Sequence, residues 1–259
     1  MFKLVKGIFF SCAVTLFSAP SGAAADPRPT IVLVHGAFAE SASWNGVVDD
    51  LAKRGYRVVA AANPLRGVAS DAASVSALLK SIDGPVVLVG HSYGGAVISA
   101  AANGAANVKA LVFVAAFSPD AGESCLALTG KFPGSTLPPT LAPPVKLADG
   151  GEDLFIQQDK FPHQFAADVP VPQARAMAVT QRPIKAAALA EAAGTPAWKT
   201  LPSWAIYGSA DLNIPPATMA WMADRAHAKK TVVIPGASHV VMVSHPHDVA
   251  VLIAQAAAD

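Results

Sequence analysis

The chain has 259 residues, of which 53% are hydrophobic and only 14% charged, and its formal net charge is +1. A chain this weakly charged has no basic surface for nucleic acid or for an anionic membrane, so we expect neither partner. Its length is sufficient for one large domain with a sizeable hydrophobic core.

Residues 1–25 have the features of a cleavable export signal. Lys3 and Lys6 precede a short apolar run at 8–17, and three alanines ending at Ala25 form a small-residue cleavage site. The apolar run is too short to span a bilayer, so a stable membrane anchor is the weaker interpretation. We therefore expect cleavage after Ala25 and a periplasmic or secreted protein.

The remaining residues, 26–259, form the predicted catalytic domain and contain a single cysteine. Cys125 has no partner for an internal disulfide within this part of the chain, and a lone cysteine is typical of a small buried hydrophobe. The sequence contains no Cys/His spacing typical of a zinc site, so no metal is expected.

Short apolar runs alternate with helical stretches along this domain, which indicates a parallel sheet covered by helices on both faces. The predicted strands are 30–34, 57–61, 85–89, 108–114, 204–207 and 231–234. The predicted helices are 43–54, 70–81, 95–102, 216–227 and 246–257. We therefore predict an α/β fold with a doubly wound sheet of about six parallel strands joined by right-handed crossovers.

Residues 118–198 interrupt this alternation. Prolines are frequent in their first part, phenylalanines and leucines are interspersed, and 171–193 has a helical pattern around Pro183. A long insertion between two sheet strands is usually a lid or a disordered segment, and the apolar residues favour an ordered lid. It follows the fourth strand, at the carboxyl edge where such sheets bind ligands.

The third predicted strand leads directly into Gly90-His91-Ser92-Tyr93-Gly94. A sharp turn between a strand and a helix presents a serine hydroxyl at the strand end, and it requires residues without bulk two positions to either side. Gly90 and Gly94 meet this requirement. Ser92 is therefore the candidate nucleophile, and a structural glycine-rich turn is the alternative interpretation.

A serine hydroxyl needs a neighbouring base that is itself oriented by an acid. Asp211 follows the fifth predicted strand and His239 follows the sixth, so both lie in loops at the same sheet edge as Ser92. Their order in the chain matches the order of nucleophile, acid and base found on such sheets. We predict the triad Ser92, His239 and Asp211.

Other residues compete for two of these roles. Asp211 has an alternative interpretation as a cap for the helix that begins near Pro215, and Asp120 is the rival acid. His245 and His247 are rival bases, although they flank Pro246 at a predicted helix start. His163 and His227 lack a supporting motif. A packing role is expected for His91, which lies beside the nucleophile.

Stabilising the oxyanion requires two backbone N–H donors. The amide of Tyr93, at the start of the helix after the nucleophile, is one candidate, and that of Ala37, in the loop after the first strand, is the other. A plain strand-ending turn is the alternative for that loop. Five side chains on loops near this edge are candidates to line the substrate pocket, with ordinary packing as the alternative for each: Phe38, Trp44, Tyr93, Phe117 and Met242.

Four segments together resemble the α/β-hydrolase superfamily: 31–37, 90–95, 113–120 and the pair Asp211 and His239. Within it, the chain is most similar to the plant methyl-ester esterases that act on salicylate and jasmonate esters, to hydroxynitrile lyases, and to bacterial relatives of unassigned substrate. The resemblance implies an α/β-hydrolase fold, the Ser92–His239–Asp211 triad, and an oxyanion hole formed by the Ala37 and Tyr93 amides.

Two departures argue against the lyases of this group, which carry threonine at the position of Gly36 and lysine at that of Val240. A serine at position 92 also excludes the aspartate nucleophile of dehalogenases and epoxide hydrolases on this fold. The expected activity is hydrolysis of a small, fairly apolar carboxylic ester without a cofactor. Three alternatives stay open: a receptor-like ligand-binding protein, a cofactor-free perhydrolase or haloperoxidase, and a thioesterase or lactonase.

Overall fold

The computed structural model of the protein describes residues 1–3 and 28–259. The predicted export signal and its cleavage site at Ala25 therefore lie, apart from the first three residues, outside the described residues. None of the helices in the described part of the chain is long and apolar enough to cross a bilayer.

Six parallel strands form the central sheet, as predicted. In chain order, the strands of residues 28–259 are β1 (Thr30–Val34), β2 (Val58–Ala61), β3 (Val86–His91), β4 (Val108–Val114), β5 (Val145–Lys146), β6 (Glu152–Leu154), β7 (Ile184–Lys185), β8 (Ser203–Gly208) and β9 (Lys230–Ile234). The sheet order is β2-β1-β3-β4-β8-β9, and every neighbouring pair is parallel. All residues of β1 and β3 are buried, which explains their unbroken apolar runs.

Helices follow the strands of the central sheet, and four further helices, α4 to α7, belong to the insertion between β4 and β8. In chain order they are α1 (Asn45–Lys53), α2 (Val68–Lys80), α3 (Gly94–Ala101), α4 (Cys125–Thr129), α5 (Phe161–Phe165), α6 (Val171–Thr180), α7 (Ala186–Ala190), α8 (Pro216–Arg225), α9 (Val241–Ser244) and α10 (Pro246–Ala258). The five helices predicted outside 118–198 are all present, with ends shifted by three residues or fewer. Helix α1 shows the local reason: Val47 and Leu51, one turn apart, are both buried.

The insertion between β4 and β8 is ordered, as expected, but it also contains strands that the sequence did not predict. It contains α4 to α7 and a small antiparallel sheet in the order β5-β6-β7. The helical pattern predicted for 171–193 is broken: α6 ends at Thr180, and β7 separates it from α7. Pro183 explains the break, because proline lacks an N–H and disfavours helical geometry in the residue before it.

Two arginines outside the insertion form hydrogen bonds to it. Arg225 of α8 donates to both carboxylate oxygens of Glu123, at 2.8 and 2.9 Å, and to the carbonyl of Ser118. Arg66 donates to Asp153 at 2.7 Å and to the carbonyl of Pro183. These bonds tie the start of the insertion, at 118–123, and two later positions, Asp153 and Pro183, to the rest of the domain.

Candidate active site

Ser92 stands in a strained turn between β3 and α3. Its φ angle is +52°, a left-handed conformation that costs a residue with a β-carbon roughly 1–3 kcal/mol. A β-carbon at Gly90 would lie 2.6 Å from the carbonyl oxygen of Gly94, and one at Gly94 would lie 2.5 Å from that of Val34. The turn therefore requires both glycines that the sequence provides, and it lifts the Ser92 hydroxyl to the end of the strand.

The loops after β3, β8 and β9 bring three polar side chains into one hydrogen-bonded chain. Nε2 of His239 lies 2.9 Å from the Oγ of Ser92, and its Nδ1 lies 2.6 Å from Oδ2 of Asp211. All three residues are buried, and Ser92 is the most exposed of them at 6%. In a site so well shielded from water, such hydrogen bonds are stronger than they would be at the surface.

Asp211 divides its two oxygens between two tasks. Oδ1 accepts the backbone N–H groups of Asn213, at 2.7 Å, and Ile214, at 3.0 Å, while Oδ2 is left for the imidazole. The alternative interpretation of Asp211 as a helix cap is wrong: the N-cap of α8 is Pro215, which makes no side-chain cap hydrogen bond, and the carboxylate closes the turn ahead of the helix instead. The same bonds fix the orientation of the carboxylate toward His239.

The rival residues lie elsewhere. Asp120 forms an ion pair with Lys199, 2.6 Å away, at the base of the insertion. His247 is 70% exposed, and His245 lies 3.6 Å from Asp168. None of these side chains contacts Ser92. The lone cysteine of the domain, Cys125, is buried, and burial raises the pKa of its thiol, which makes it a poor nucleophile.

Two aromatic rings pack against the imidazole of His239. The ring of His91 lies 4.8 Å from it, and Nε2 of His91 donates to the carbonyl of His239 over 3.2 Å. Burial lowers the pKa of His91 well below its ordinary value, so this second imidazole stays neutral. Phe165 of α5 also packs against the imidazole of His239, with its ring 5.0 Å from that of His239 and 6.3 Å from that of His91, so the three rings form one cluster. The sequence did not indicate this role for Phe165, since it depends on how the insertion folds.

Ala37 and Tyr93 line the same cavity as Ser92. Within residues 28–259, neither N–H donates to a protein acceptor. The loop that carries Ala37 approaches the nucleophile very closely: a β-carbon at Gly36 would fall 2.6 Å from Cβ of Ser92. The side chain of Tyr93 is anchored away from the serine, because its hydroxyl donates to Asp71 at 2.8 Å.

A mostly apolar cavity of about 170 Å³ opens onto Ser92 and His239. Half of its lining comes from the insertion 118–198, and no Lys, Arg, Asp or Glu contributes to it. Its lining residues are Ala37, Phe38, Ser92, Tyr93, Phe117, Leu126, Thr129, Leu137, Pro138, Leu141, Leu154, Phe165, Leu189, Asn213, Ile214 and His239.

The structure corrects two of the predicted pocket residues. Phe38, Tyr93 and Phe117 line the cavity, but Trp44 and Met242 do not. Both are fully buried, with the Trp44 ring 6.4 Å from that of His91 and Met242 inside α9. Along the chain they follow strands that end at the catalytic edge, yet their side chains pack into the core behind the site.

Residues 31–252 match the Alpha/beta hydrolase family. The chain belongs to this family. It is similar to a carbendazim hydrolyzing esterase of Nocardioides sp. (strain SG-4G), with 32% identity over 124 residues, which are 43% of this chain and 50% of that protein. The chain thus spans about half the length of the curated relative that it matches.

Solved structures show the same fold. Polyneuridine aldehyde esterase superposes with a TM-score of 0.76 at 20% identity, covering 88% of this chain and 99% of that one. A methylesterase from Arabidopsis gives a TM-score of 0.70 at 17% identity and covers 89% and 99% of the two chains. These likenesses confirm the predicted fold and the resemblance to plant esterases at the level of architecture.

Proposed function

We propose that the protein is a serine hydrolase that cleaves a small, neutral, fairly apolar carboxylic ester through an acyl-enzyme on Ser92. The observation that carries the proposal is the hydrogen-bonded chain from Ser92 through His239 to Asp211 at the floor of the apolar cavity. The curated relative named as an esterase and the family of the chain support the same reaction type.

Each residue of this hydrogen-bonded chain has a defined role in the reaction. Nε2 of His239 accepts the proton of the Ser92 hydroxyl as Oγ attacks the ester carbonyl carbon, and Asp211 stabilises the imidazolium that forms. The oxyanion accepts the N–H groups of Ala37 and Tyr93. The imidazolium then donates its proton to the leaving alcohol. Water, activated by the same base, hydrolyses the acyl-enzyme and releases the acid.

The cavity supports an uncharged substrate with one compact apolar group. Because no Lys, Arg, Asp or Glu lines it, a charged substrate group would lose its water without gaining an ion pair. A cavity of roughly 150 Å³ is enough for a benzene molecule. At about 170 Å³, this one suits an acyl or alcohol group of about one ring.

Two residues support hydrolysis over the lyase chemistry of similar proteins. Gly36 leaves no room for a side chain, since even a β-carbon would meet Cβ of Ser92 at 2.6 Å and the carbonyl of His91 at 2.7 Å. Val240, directly after His239, is fully buried and apolar. Neither position supplies the hydroxyl or ammonium group that the lyases carry there.

The test compares turnover of p-nitrophenyl acetate by the wild type, Ser92→Ala and Ser99→Ala. Ser99 is a matched control because it is also buried, and its hydroxyl makes no hydrogen bond within the described residues. We expect many turnovers from the wild type and the control and background rates from Ser92→Ala. A wild type that stops after one event would support the receptor-like alternative, and a rate that depends on added peroxide would support a perhydrolase.

We also infer export to the periplasm or the medium, from the pattern of residues 1–25. Fractionation of cells expressing the full chain, followed by N-terminal sequencing, tests this inference. A mature protein that begins at Asp26 supports it, and an uncleaved protein in the cytoplasm overturns it.

A further inference from the structure

The proposed reaction leaves one buried polar side chain beside the site without a role. His35 follows β1 directly and is fully buried. Its Nδ1 lies 2.9 Å from the carbonyl oxygen of Gly36, and its Nε2 lies 3.0 Å from the backbone nitrogen of Asn63. A second bond joins the same two loops, from Nδ2 of Asn63 to the carbonyl of His35 at 2.9 Å.

These partners settle which ring nitrogen carries the proton. The backbone N–H of Asn63 can only donate, so Nε2 must be the bare nitrogen that accepts it. The proton is therefore on Nδ1, which donates to the carbonyl of Gly36. Burial lowers the pKa of His35 to about 4, so the ring is neutral near pH 7 and keeps this single tautomer.

The carbonyl that accepts this bond belongs to the same planar peptide unit as the N–H of Ala37. In a trans peptide the C=O and N–H groups point in opposite directions, so fixing one fixes the other. A hydrogen bond to the carbonyl also polarises the unit and makes its N–H a better donor. Gly36 brings this unit against Ser92, where the oxyanion would form.

We propose that His35 is a positioning residue, which holds the Gly36–Ala37 peptide so that the Ala37 N–H points at the oxyanion during ester hydrolysis. The proposal rests on the proposed function and adds a residue outside the triad to it. His35 does not touch the substrate, since it does not line the cavity. It acts through the Ala37 amide alone.

Two variants separate the two bonds of the ring. The amide of Asn lies at about the distance of Nδ1 from the backbone, so His35→Asn keeps a donor for Gly36 and loses the acceptor for Asn63. The amide of Gln lies at about the distance of Nε2, so His35→Gln does the reverse. Each variant loses one buried hydrogen bond, and a purely structural role would lower the melting temperature of both while leaving kcat of the folded proteins alike.

With p-nitrophenyl acetate, we expect His35→Asn to keep kcat within about threefold and His35→Gln to lose tenfold or more at nearly unchanged KM. Removing an oxyanion donor outright costs about 10²- to 10³-fold, and a misaligned donor should cost less. The KM of His35→Gln should stay near the wild-type value, because the donor stabilises the transition state rather than the bound ester. Equal kcat values for the two folded variants would overturn the proposal.

A measurement on the wild type covers the case in which a variant does not fold. Long-range ¹H–¹⁵N correlation spectra of ¹⁵N-labelled protein report the tautomer of His35 directly. A proton on Nδ1 supports the proposal, and a proton on Nε2 overturns it. Wild-type protein without ester turnover would overturn the proposed function and this proposal with it, whereas turnover with equal kcat in the two variants overturns only the role of His35.

Discussion

Replacing Asp211 by Asn tests the acid with almost no change in shape. The two backbone N–H groups of Asn213 and Ile214 point at Oδ1, at 2.7 and 3.0 Å. They fix the orientation of the new amide, because its NH₂ group cannot face two donors without leaving them unpaired, at a cost of about 1–3 kcal/mol each. The amide oxygen therefore stays at Oδ1, and the NH₂ group takes the place of Oδ2.

The NH₂ group then lies about where Oδ2 is now, 2.6 Å from Nδ1 of His239. It donates to Nδ1, so the imidazole must carry its own proton on Nε2. An Nε2–H cannot accept the proton of Ser92, and a base in this tautomer lowers kcat by about 10⁴-fold. That factor corresponds to about 5.5 kcal/mol of activation free energy. Since both backbone bonds to Oδ1 persist, the fold should survive.

Pre-steady-state and steady-state hydrolysis of p-nitrophenyl acetate, together with thermal melting, measures the effect. Asp120→Asn is the matched control, since it makes the same substitution at the rival acid, which pairs with Lys199 instead. We expect a loss of about 10⁴-fold for Asp211→Asn and less than about twofold for Asp120→Asn. A folded Asp211→Asn protein within tenfold of wild-type kcat, or a large loss in the control, would contradict the role of Asp211.

Three further predictions concern the loop, the buried imidazoles and the cavity. Gly36→Ala should lower both kcat and melting temperature, because the new β-carbon would lie 2.6 Å from Cβ of Ser92. Gly194→Ala is the control and should change neither, since the space around Gly194 is open. Equal effects of the two substitutions would contradict this prediction. Burial lowers the pKa of His35 to about 4 and that of His91 well below 6.5, so between pH 6.5 and 4 the unfolded chain binds more protons than the folded protein. The free energy of unfolding, from urea titrations, should therefore fall as the pH drops through this window, by roughly 3 kcal/mol for His35 alone, and a flat profile would argue against neutral imidazoles. Finally, kcat/KM for a neutral aryl ester should exceed that for an isosteric carboxylate-bearing ester by at least about 100-fold, because burying an unpaired charge is costly, and similar values would reject the apolar site.

The sheet and the meeting of the three candidate catalytic residues were predictable because each depends on short, local signals. An unbroken apolar run such as Ile31–Val34 marks a buried parallel strand, and the ends of parallel strands necessarily meet at one edge. Ser92 and Asp211 each follow such a run, and His239 follows β9, a partly exposed edge strand of the same sheet. Their convergence therefore follows from the topology once the strands are assigned.

The pocket was less predictable because its walls depend on long-range packing. Trp44 and Met242 are close to the site along the chain but pack behind it, whereas Phe165 reaches His239 from the middle of the insertion. No periodicity specifies how the insertion folds, and its small antiparallel sheet was missed for the same reason. The role inferred for His35 also depends on a contact with Asn63, 28 positions away, that no local motif reveals.

The central claim is that His239 activates Ser92 for attack on an acyl carbon. Mass spectrometry after treatment with a phosphonylating reagent tests it most directly, with wild-type and His239→Ala proteins labelled side by side. We expect one adduct per wild-type chain, on the peptide that contains Ser92, and little label in His239→Ala. An adduct on another residue, or equal labelling of the two proteins, would contradict it.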